Sequence, residues 1–161
     1  MRELPRLTIV DGDLLQQEVE AIVNPWTRNF IPHWLLWPRG VSSAIRQAAG
    51  RQPFRELRRH GPLPLGGAAL TMAGRLPFKG IIHVASVGLW WTSSEKAVIL
   101  SVANALDLAH GRFASLAFPL IGAGTDGMTP ERVEAIMVET VKAKGFAGEV
   151  WIVRHTPEPM A

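Results

Sequence analysis

The sequence contains no cysteine, and this absence removes several classes of function. Without thiols the chain forms no disulfide, has no cysteine nucleophile and offers no thiolate to a metal ion. Residues 1–6 lack the apolar core of a secretory signal, and no apolar run approaches the roughly 20 residues that span a bilayer. Absent cysteine also agrees with a reducing compartment. We therefore expect a cytoplasmic protein with no membrane partner.

Lysine is scarce as well, with 4 lysines against 13 arginines and a formal net charge of +3. This modest excess favours anionic partners in general but does not by itself indicate nucleic acid. The five histidines show no ligand spacing, so we expect no metal ion, and no motif calls for a cofactor. A length of 161 residues with 47% hydrophobic residues predicts one domain, residues 1–161, whose core needs no disulfide or metal.

Short apolar runs alternate with helical patterns along the chain. Strands are predicted at residues 7–10, 20–23, 68–73, 81–85, 115–120 and 150–153, and helices at 42–49, 53–60, 93–110 and 130–144. The dipeptide Asn24-Pro25 is expected to end the second strand. We expect hydroxyl caps at three helix starts, from Ser42 or Ser43, Ser93 or Ser94, and Thr129. This alternation predicts a largely parallel sheet that is covered on both faces.

Three motifs could carry chemistry, and each also has an ordinary structural interpretation. The loop Gly122-Ala-Gly-Thr-Asp-Gly127 follows a strand and precedes a helix, so it could hold a phosphate or simply form a turn. Asp13 follows the first strand, where its carboxylate could accept a hydrogen bond from an exocyclic amine such as that of adenine, or cap a helix. Asn24 lies at the carboxyl end of a strand, where ligands of α/β sheets collect, or it acts as a cap.

In their order, and with the sequence between them, these motifs resemble the macrodomain family. The resemblance extends over about residues 7–154. The matching segments are Gly12-Asp13-Leu14-Leu15, Val19-Glu20-Ala21-Ile22-Val23-Asn24, Gly40-Val41, Ala44-Ile45, Ala48-Ala49-Gly50, Gly67-Ala-Ala-Leu-Thr71, Gly74-Arg-Leu-Pro77, Ile81-Ile-His-Val84 and Phe118-Pro-Leu-Ile-Gly-Ala-Gly-Thr-Asp-Gly127.

The resemblance implies a three-layer α/β/α sandwich, with a mixed, largely parallel sheet, that binds ADP-ribose or an ADP-ribosylated protein or nucleic acid. The ligand would lie in a cleft at the carboxyl ends of the strands. Asp13 would recognise the adenine amine with the Leu14 backbone nearby, and Asn24 would face the distal ribose. The two walls of the diphosphate site and the neighbouring ribose contact would come from Gly40, Val41 and Ser42, and from Gly122, Ala123, Gly124, Thr125, Asp126, Gly127 and Met128.

The chain departs from the family pattern where hydrolytic members carry their chemistry. Those members typically have a second asparagine three residues after the first and an aspartate after the Gly-Val pair, and here these positions are Thr27 and Ser42. Asp126, with Asn24 as a polar participant, could serve as a general acid or base, or Asp126 could be a turn residue. Binding alone, hydrolysis of an ADP-ribosyl bond and deacetylation of O-acetyl-ADP-ribose all stay open.

Three further features have alternative interpretations. The apolar cluster from Trp34 to Trp37 could be a lid, a homodimer interface or a core plug. Arg55, Arg58 and Arg59 share a helical face, which is either an ordinary solvated face or a nucleic-acid-binding surface that would make the chain a nucleic-acid-binding protein. His83 lies in an apolar strand, and we expect a hydrogen-bonded core histidine there rather than a catalyst.

Overall fold

A six-stranded sheet in the order β1-β6-β5-β2-β4-β3 forms the centre of the molecule. The structure is a computed structural model that describes residues 6–27, 41–87, 94–121 and 128–155. Its strands are β1 Arg6–Gly12, β2 Ala21–Thr27, β3 Ala68–Thr71, β4 Gly80–Val87, β5 Ser115–Pro119 and β6 Glu149–His155. Its helices are α1 Val41–Ala49, α2 Gln52–Arg59, α3 Glu95–Ala109 and α4 Pro130–Lys144, with one 3₁₀ turn at Leu14–Gln16.

Among the described strands five run parallel, and only the edge strand β3 is antiparallel to its neighbour β4. The carboxyl ends of the five parallel strands therefore lie along one edge of the sheet. In open α/β sheets this edge is where ligands bind. The topology confirms the mixed, largely parallel sheet that the sequence predicts.

Helices cover both faces of the sheet. Successive strand residues point to opposite faces, so Val23 and Val84 belong to one core cluster while Ile22 and Ile81 belong to the other. The first cluster packs beneath α3 and α4, and the second packs beneath α1 and α2. Because both faces are buried, the central strands need nearly continuous apolar sequence. The result is the expected three-layer α/β/α sandwich.

Three expectations about element boundaries are wrong. β2 does not end at Asn24-Pro25 but continues to Thr27. Its pairing with β5 stops at Ile22 while its pairing with β4 continues, so one side of the strand is unpaired there and a residue without an N–H group is tolerated.

The serine cap expected for α1 is also absent. Val41 already belongs to the helix, so Ser42 and Ser43 lie inside its first turn.

The strand expected at 68–73 ends earlier, at Thr71, because Gly74 turns the chain with a φ of 60°.

The other two caps are confirmed. The Ala97 N–H donates to the Ser94 hydroxyl at 3.1 Å, and the Arg132 N–H donates to the Thr129 hydroxyl at 3.2 Å. These bonds satisfy backbone donors that a helix start otherwise leaves unpaired. None of the helices in the described ranges is long and apolar enough to cross a membrane.

Candidate functional site

Two of the residues that the sequence singles out lie at the carboxyl edge of the sheet. Asn24 lies on β2 near the middle of the sheet, and Asp13 directly follows β1 at the far edge. In the order of the strands, β6 and β5 separate β1 from β2. Three interstrand spacings of about 4.8 Å place the two residues roughly 14 Å apart along the edge.

Asn24 is fully buried, with 0% of its surface exposed. It lies in register with His83 on the adjacent strand β4, and its side-chain nitrogen Nδ2 is 3.0 Å from the imidazole Nδ1. Its side-chain oxygen Oδ1 accepts no hydrogen bond from the residues that the structure describes. A buried polar atom without a partner is uncommon in folded proteins and calls for an explanation.

His83 connects Asn24 to a second polar side chain. Its Nε2 lies 2.9 Å from the Thr71 hydroxyl, and that hydroxyl donates to the Met72 carbonyl at 3.0 Å. A hydroxyl has one proton to donate, so Thr71 must accept from the Nε2–H of His83. Nδ1 is therefore the unprotonated nitrogen, and it accepts from the Asn24 amide.

This chain of hydrogen bonds fixes which way the Asn24 amide points. Amide nitrogen and oxygen are hard to tell apart by shape, and their assignment follows from the network. Because the nitrogen of Asn24 donates to His83, its oxygen is the atom that stays unpaired. Asn24 therefore presents an acceptor, which suits a hydroxyl group of a ligand.

His83 stays neutral in this arrangement. Burial lowers its pKa to about 3, and the positive charge of His60 adds to the effect. Both ring nitrogens are occupied, and the Phe54 ring packs against the imidazole edge-on at a centroid distance of 5.5 Å. His83 is thus a hydrogen-bonded core histidine, as expected, and it has no free nitrogen to act as a general base.

Asp13 caps the 3₁₀ turn that follows β1. One of its carboxylate oxygens, Oδ1, accepts from the Leu15 N–H at 2.9 Å. The side chain is exposed while Leu14 is buried against the core. The structural interpretation of Asp13 as a cap is therefore confirmed, and the cap uses only one of its two oxygens, so adenine recognition stays a prediction.

The first wall of the expected diphosphate site is described in part. α1 begins at Val41 and has no acidic residue in its first turn, so nothing there offsets the partial positive charge of the helix start. Ser42 is partly buried. Met128 is also partly buried and packs against the core beneath α3 and α4.

Several predicted site residues lie outside the described ranges. These are Gly40, the whole glycine loop from Gly122 to Gly127 with the candidate acid–base residue Asp126, and the apolar cluster from Trp34 to Trp37. Their roles stay predictions. In the described ranges no group of three or more histidine, aspartate or glutamate residues could hold a metal ion.

Thr71 is the site residue that sequence reasoning missed. The only signal was a hydroxyl at the end of a short apolar strand, and such residues are common. Its importance comes from the pairing of β3 with β4, which places Thr71 against Ile81 and Ala69 against His83. No pattern within either strand discloses that pairing.

Comparison with known proteins agrees with this geometry. A family model described as Macro domain matches residues 23–137. A macro domain-containing protein of Listeria monocytogenes is 37% identical over 145 residues, which cover 84% of this chain and 78% of that protein. A Citrobacter rodentium protein named O-acetyl-ADP-ribose deacetylase is 35% identical with the same coverage of both chains.

Solved structures give the same result. A mutant of the Oceanobacillus iheyensis macrodomain with ADPR has a TM-score of 0.76 and 26% identity, and the match covers 98% of this chain and 89% of that one. The fold of the Thermus aquaticus DarG macrodomain is also similar, with a TM-score of 0.74, 23% identity and coverage of 95% and 99%.

Proposed function

The chain belongs to the macro domain family, and we propose that it binds ADP-ribose, free or attached to a protein or nucleic acid, at the carboxyl edge of its sheet. The similar Oceanobacillus iheyensis macrodomain holds ADPR, and the residues that the family motif assigns to the two ends of that ligand are both present here. Asp13 would take the adenine end and Asn24 the distal ribose.

The observation that carries this proposal is the oriented, buried amide of Asn24. Its oxygen is shielded from water and unpaired among the described residues, a state that costs about 1–3 kcal/mol. A ribose hydroxyl that donates to this oxygen would recover that cost. The site would therefore favour a ligand with a hydroxyl-bearing group at this position over one that lacks it.

The separation of the two residues supports the same ligand class. Asp13 and Asn24 lie roughly 14 Å apart along the sheet edge, and a ligand that contacts both must be an extended molecule. ADP-ribose has its adenine and its distal ribose at opposite ends of a diphosphate. A mononucleotide has no second ribose to place at Asn24.

Calorimetric titration with ADP-ribose and ADP tests the proposal, since ADP lacks only the distal ribose. We expect the wild type to bind ADP-ribose more tightly than ADP. Asn24→Ala should lose about tenfold in affinity for ADP-ribose, equivalent to one well-placed hydrogen bond of about 1.4 kcal/mol, and keep its affinity for ADP.

Ser101→Ala provides a matched control. Ser101 is also fully buried and its hydroxyl is also unpaired among the described residues, but it lies on α3 at the opposite face of the sheet. This variant should bind both ligands as the wild type does. Equal affinity of the wild type for ADP-ribose and ADP, or no binding of either, would refute the proposal.

A second candidate function is turnover of an ADP-ribose derivative, favoured by the identity with proteins named O-acetyl-ADP-ribose deacetylase. His83 cannot supply the base, because its pKa is about 3 and both its nitrogens are occupied. Asp126 is then the candidate acid–base residue. Asp126→Asn should abolish release of acetate from O-acetyl-ADP-ribose while ADP-ribose still binds, and unchanged release would exclude Asp126 from catalysis.

A further inference from the structure

Positive charge is concentrated in one part of the chain. Residues 41–78 contain six arginines and a single acidic residue, Glu56, which gives this segment a formal charge of +5. The whole chain has +3, so the remainder carries −2. The arginines, called here the arginine surface, are Arg46, Arg51, Arg55, Arg58, Arg59 and Arg75.

The arginine surface is not neutralised by neighbouring carboxylates. Elsewhere in the described chain Arg6, Arg132 and Arg154 each pair with a carboxylate at 3.6 Å or less. None of the six arginines forms such a pair with a described residue. The one acid of the segment, Glu56, accepts instead from the Met72 backbone N–H at 3.0 Å.

The buried residues and the exposed arginines of helix α2 lie on different faces of the helix. Pro53, Phe54 and Leu57 are buried against the core. Arg51 directly precedes the helix, and it and the three arginines of α2 are exposed; at 3.6 residues per turn the four fall within an arc of about 100°. The helix thus presents a row of planar guanidinium donors to solvent, which is the geometry that binds phosphate oxygens in pairs.

Arg46 extends the row from α1. Its guanidinium stacks over the Phe54 ring at 4.6 Å from the centroid. Burial lowers the pKa of Arg46, and the nearby positive charge of Arg58 adds to the effect. Arg46 and Arg58 therefore repel each other, and an anion bound near both would relieve that repulsion.

The arginine surface lies on the Asn24 side of the sheet, away from Asp13. α1 packs on β2 and α2 packs on β3, the edge strand furthest from β1. A continuous set of contacts runs from Asn24 through His83 and Phe54 to Arg46.

Along the strands the arginine surface extends towards the opposite, amino edge, because Met72, which follows the amino-edge end of β3, bonds Glu56 of α2, and the Arg75 N–H donates to the Ala49 carbonyl just before Arg51. The arginine surface is therefore separate from the cleft at the carboxyl edge.

We propose that the arginine surface binds the phosphodiester backbone of a nucleic acid. A nucleic acid has a negative charge at every nucleotide, which matches a row of several unpaired arginines. The aromatic side chains described next to the arginines, Phe54 and Phe78, are buried. Binding is therefore directed at the backbone and not at base stacking.

Fluorescence anisotropy with a short labelled oligothymidylate tests the surface. The test variant is Arg55→Gln/Arg58→Gln. The matched control is Arg112→Gln/Lys142→Gln, which removes the same charge from two exposed side chains outside the arginine surface. We expect the test variant to lose affinity on the order of tenfold at low salt, with a slope against log salt shallower by about 1.4 for two lost phosphate contacts. The control should change by less than about twofold.

Three results would overturn the proposal: no binding of the oligonucleotide by the wild type, equal weakening of both double variants, or equally tight binding of polyglutamate. Equal weakening would indicate attraction by net charge alone, and polyglutamate binding would indicate an acidic protein partner.

A failure of the proposed ADP-ribose binding can be told apart from a failure of the arginine surface. Free ADP-ribose should bind Arg55→Gln/Arg58→Gln as it binds the wild type, because neither side chain belongs to the cleft. If the wild type binds the oligonucleotide but not ADP-ribose, the proposal for the arginine surface stands and the proposed ADP-ribose site is wrong.

Discussion

The Asn24 amide donates to the Nδ1 of His83 across 3.0 Å, between residues that lie in register on two neighbouring parallel strands. The direction of this bond is imposed from the far side of the imidazole, where the Thr71 hydroxyl accepts from the Nε2–H and donates its own hydrogen bond to the Met72 carbonyl. A backbone carbonyl thus determines, through two side chains, that an oxygen and not a nitrogen of Asn24 is left for a ligand. Buried networks of this kind are worth more when every other member is satisfied.

Replacing His83 should change ligand preference according to whether the substituent can hold the Asn24 amide. His83→Gln can still accept from Asn24 and donate to Thr71, so it should retain the preference for ADP-ribose over ADP. His83→Leu should lose most of that preference, because the amide nitrogen of Asn24 is then unpaired and free to rotate. The ratio of the two affinities is the measurement, and the affinity for ADP alone reports general damage to the fold. Equal ratios in the two variants would mean that His83 only fills space.

The stability of the protein should depend on pH through His83. The unfolded histidine binds a proton near pH 6.5, whereas burial holds the folded pKa at about 3. Protonation therefore favours the unfolded state, so this stabilisation is complete above pH 6.5 and is lost as the pH falls towards 3. Between pH 6 and pH 5 the free energy of unfolding should fall by about 1 kcal/mol because of this group.

Urea unfolding at several pH values in that window measures the slope, and His83→Gln is the reference because it does not titrate. Residual titration of carboxylates near pH 5 is common to both proteins and cancels in the comparison. Identical slopes for the wild type and His83→Gln would show that the imidazole is accessible to protons in the folded state.

Asp13→Asn should separate the capping role of Asp13 from adenine recognition. Asparagine caps helices as well as aspartate does, so the bond from the Leu15 N–H is kept and stability should change by less than about 0.5 kcal/mol. The atom left for the ligand becomes an amide nitrogen, which is a donor facing the adenine amine. We expect ADP-ribose affinity to fall by about tenfold or more, and the hypoxanthine analogue, whose oxygen is an acceptor, to be affected less. Equal affinity of the variant and the wild type for ADP-ribose would remove Asp13 from the site.

Gly74 packs closely against the end of α1, and Gly111 serves as a matched control for replacing it. Both have a positive φ, 60° and 72°. A Cβ at Gly111 meets nothing within 4 Å, whereas at Gly74 it clashes with the Ala49 carbonyl oxygen. Gly111→Ala should cost about 1 kcal/mol for the backbone conformation alone. Gly74→Ala should cost about 1–3 kcal/mol more, as measured by urea unfolding. Equal losses would mean that the backbone around Ala49 yields at no cost.

Much of the fold was predictable from local pattern. Thr129 followed by Pro130 marks the start of α4, and Ser94 marks the start of α3, because a hydroxyl cap needs only the next few residues of its own chain. The apolar runs of β4 and β5 predicted central strands, since a strand buried on both faces has no polar positions to spare. The end of β2 was predicted wrongly because Pro25 lies where β2 no longer pairs with β5. β5 comes much later in the chain, so no residue near Pro25 indicates where that pairing stops.

The sequence by itself determined that Asp13 and Asn24 follow or occupy strands that end at one edge, since alternating strands and helices produce a parallel sheet. It also determined that Arg55, Arg58 and Arg59 share one face of α2, because residues three or four positions apart lie on the same side of a helix. Only the tertiary structure decided which atom of Asn24 meets a ligand. That choice depends on Thr71 and His83, which come from different strands and meet only through the antiparallel pairing of β3 with β4. Hydrogen-bond direction in a buried network depends on side chains that are distant in sequence, so no local pattern in the chain contains it.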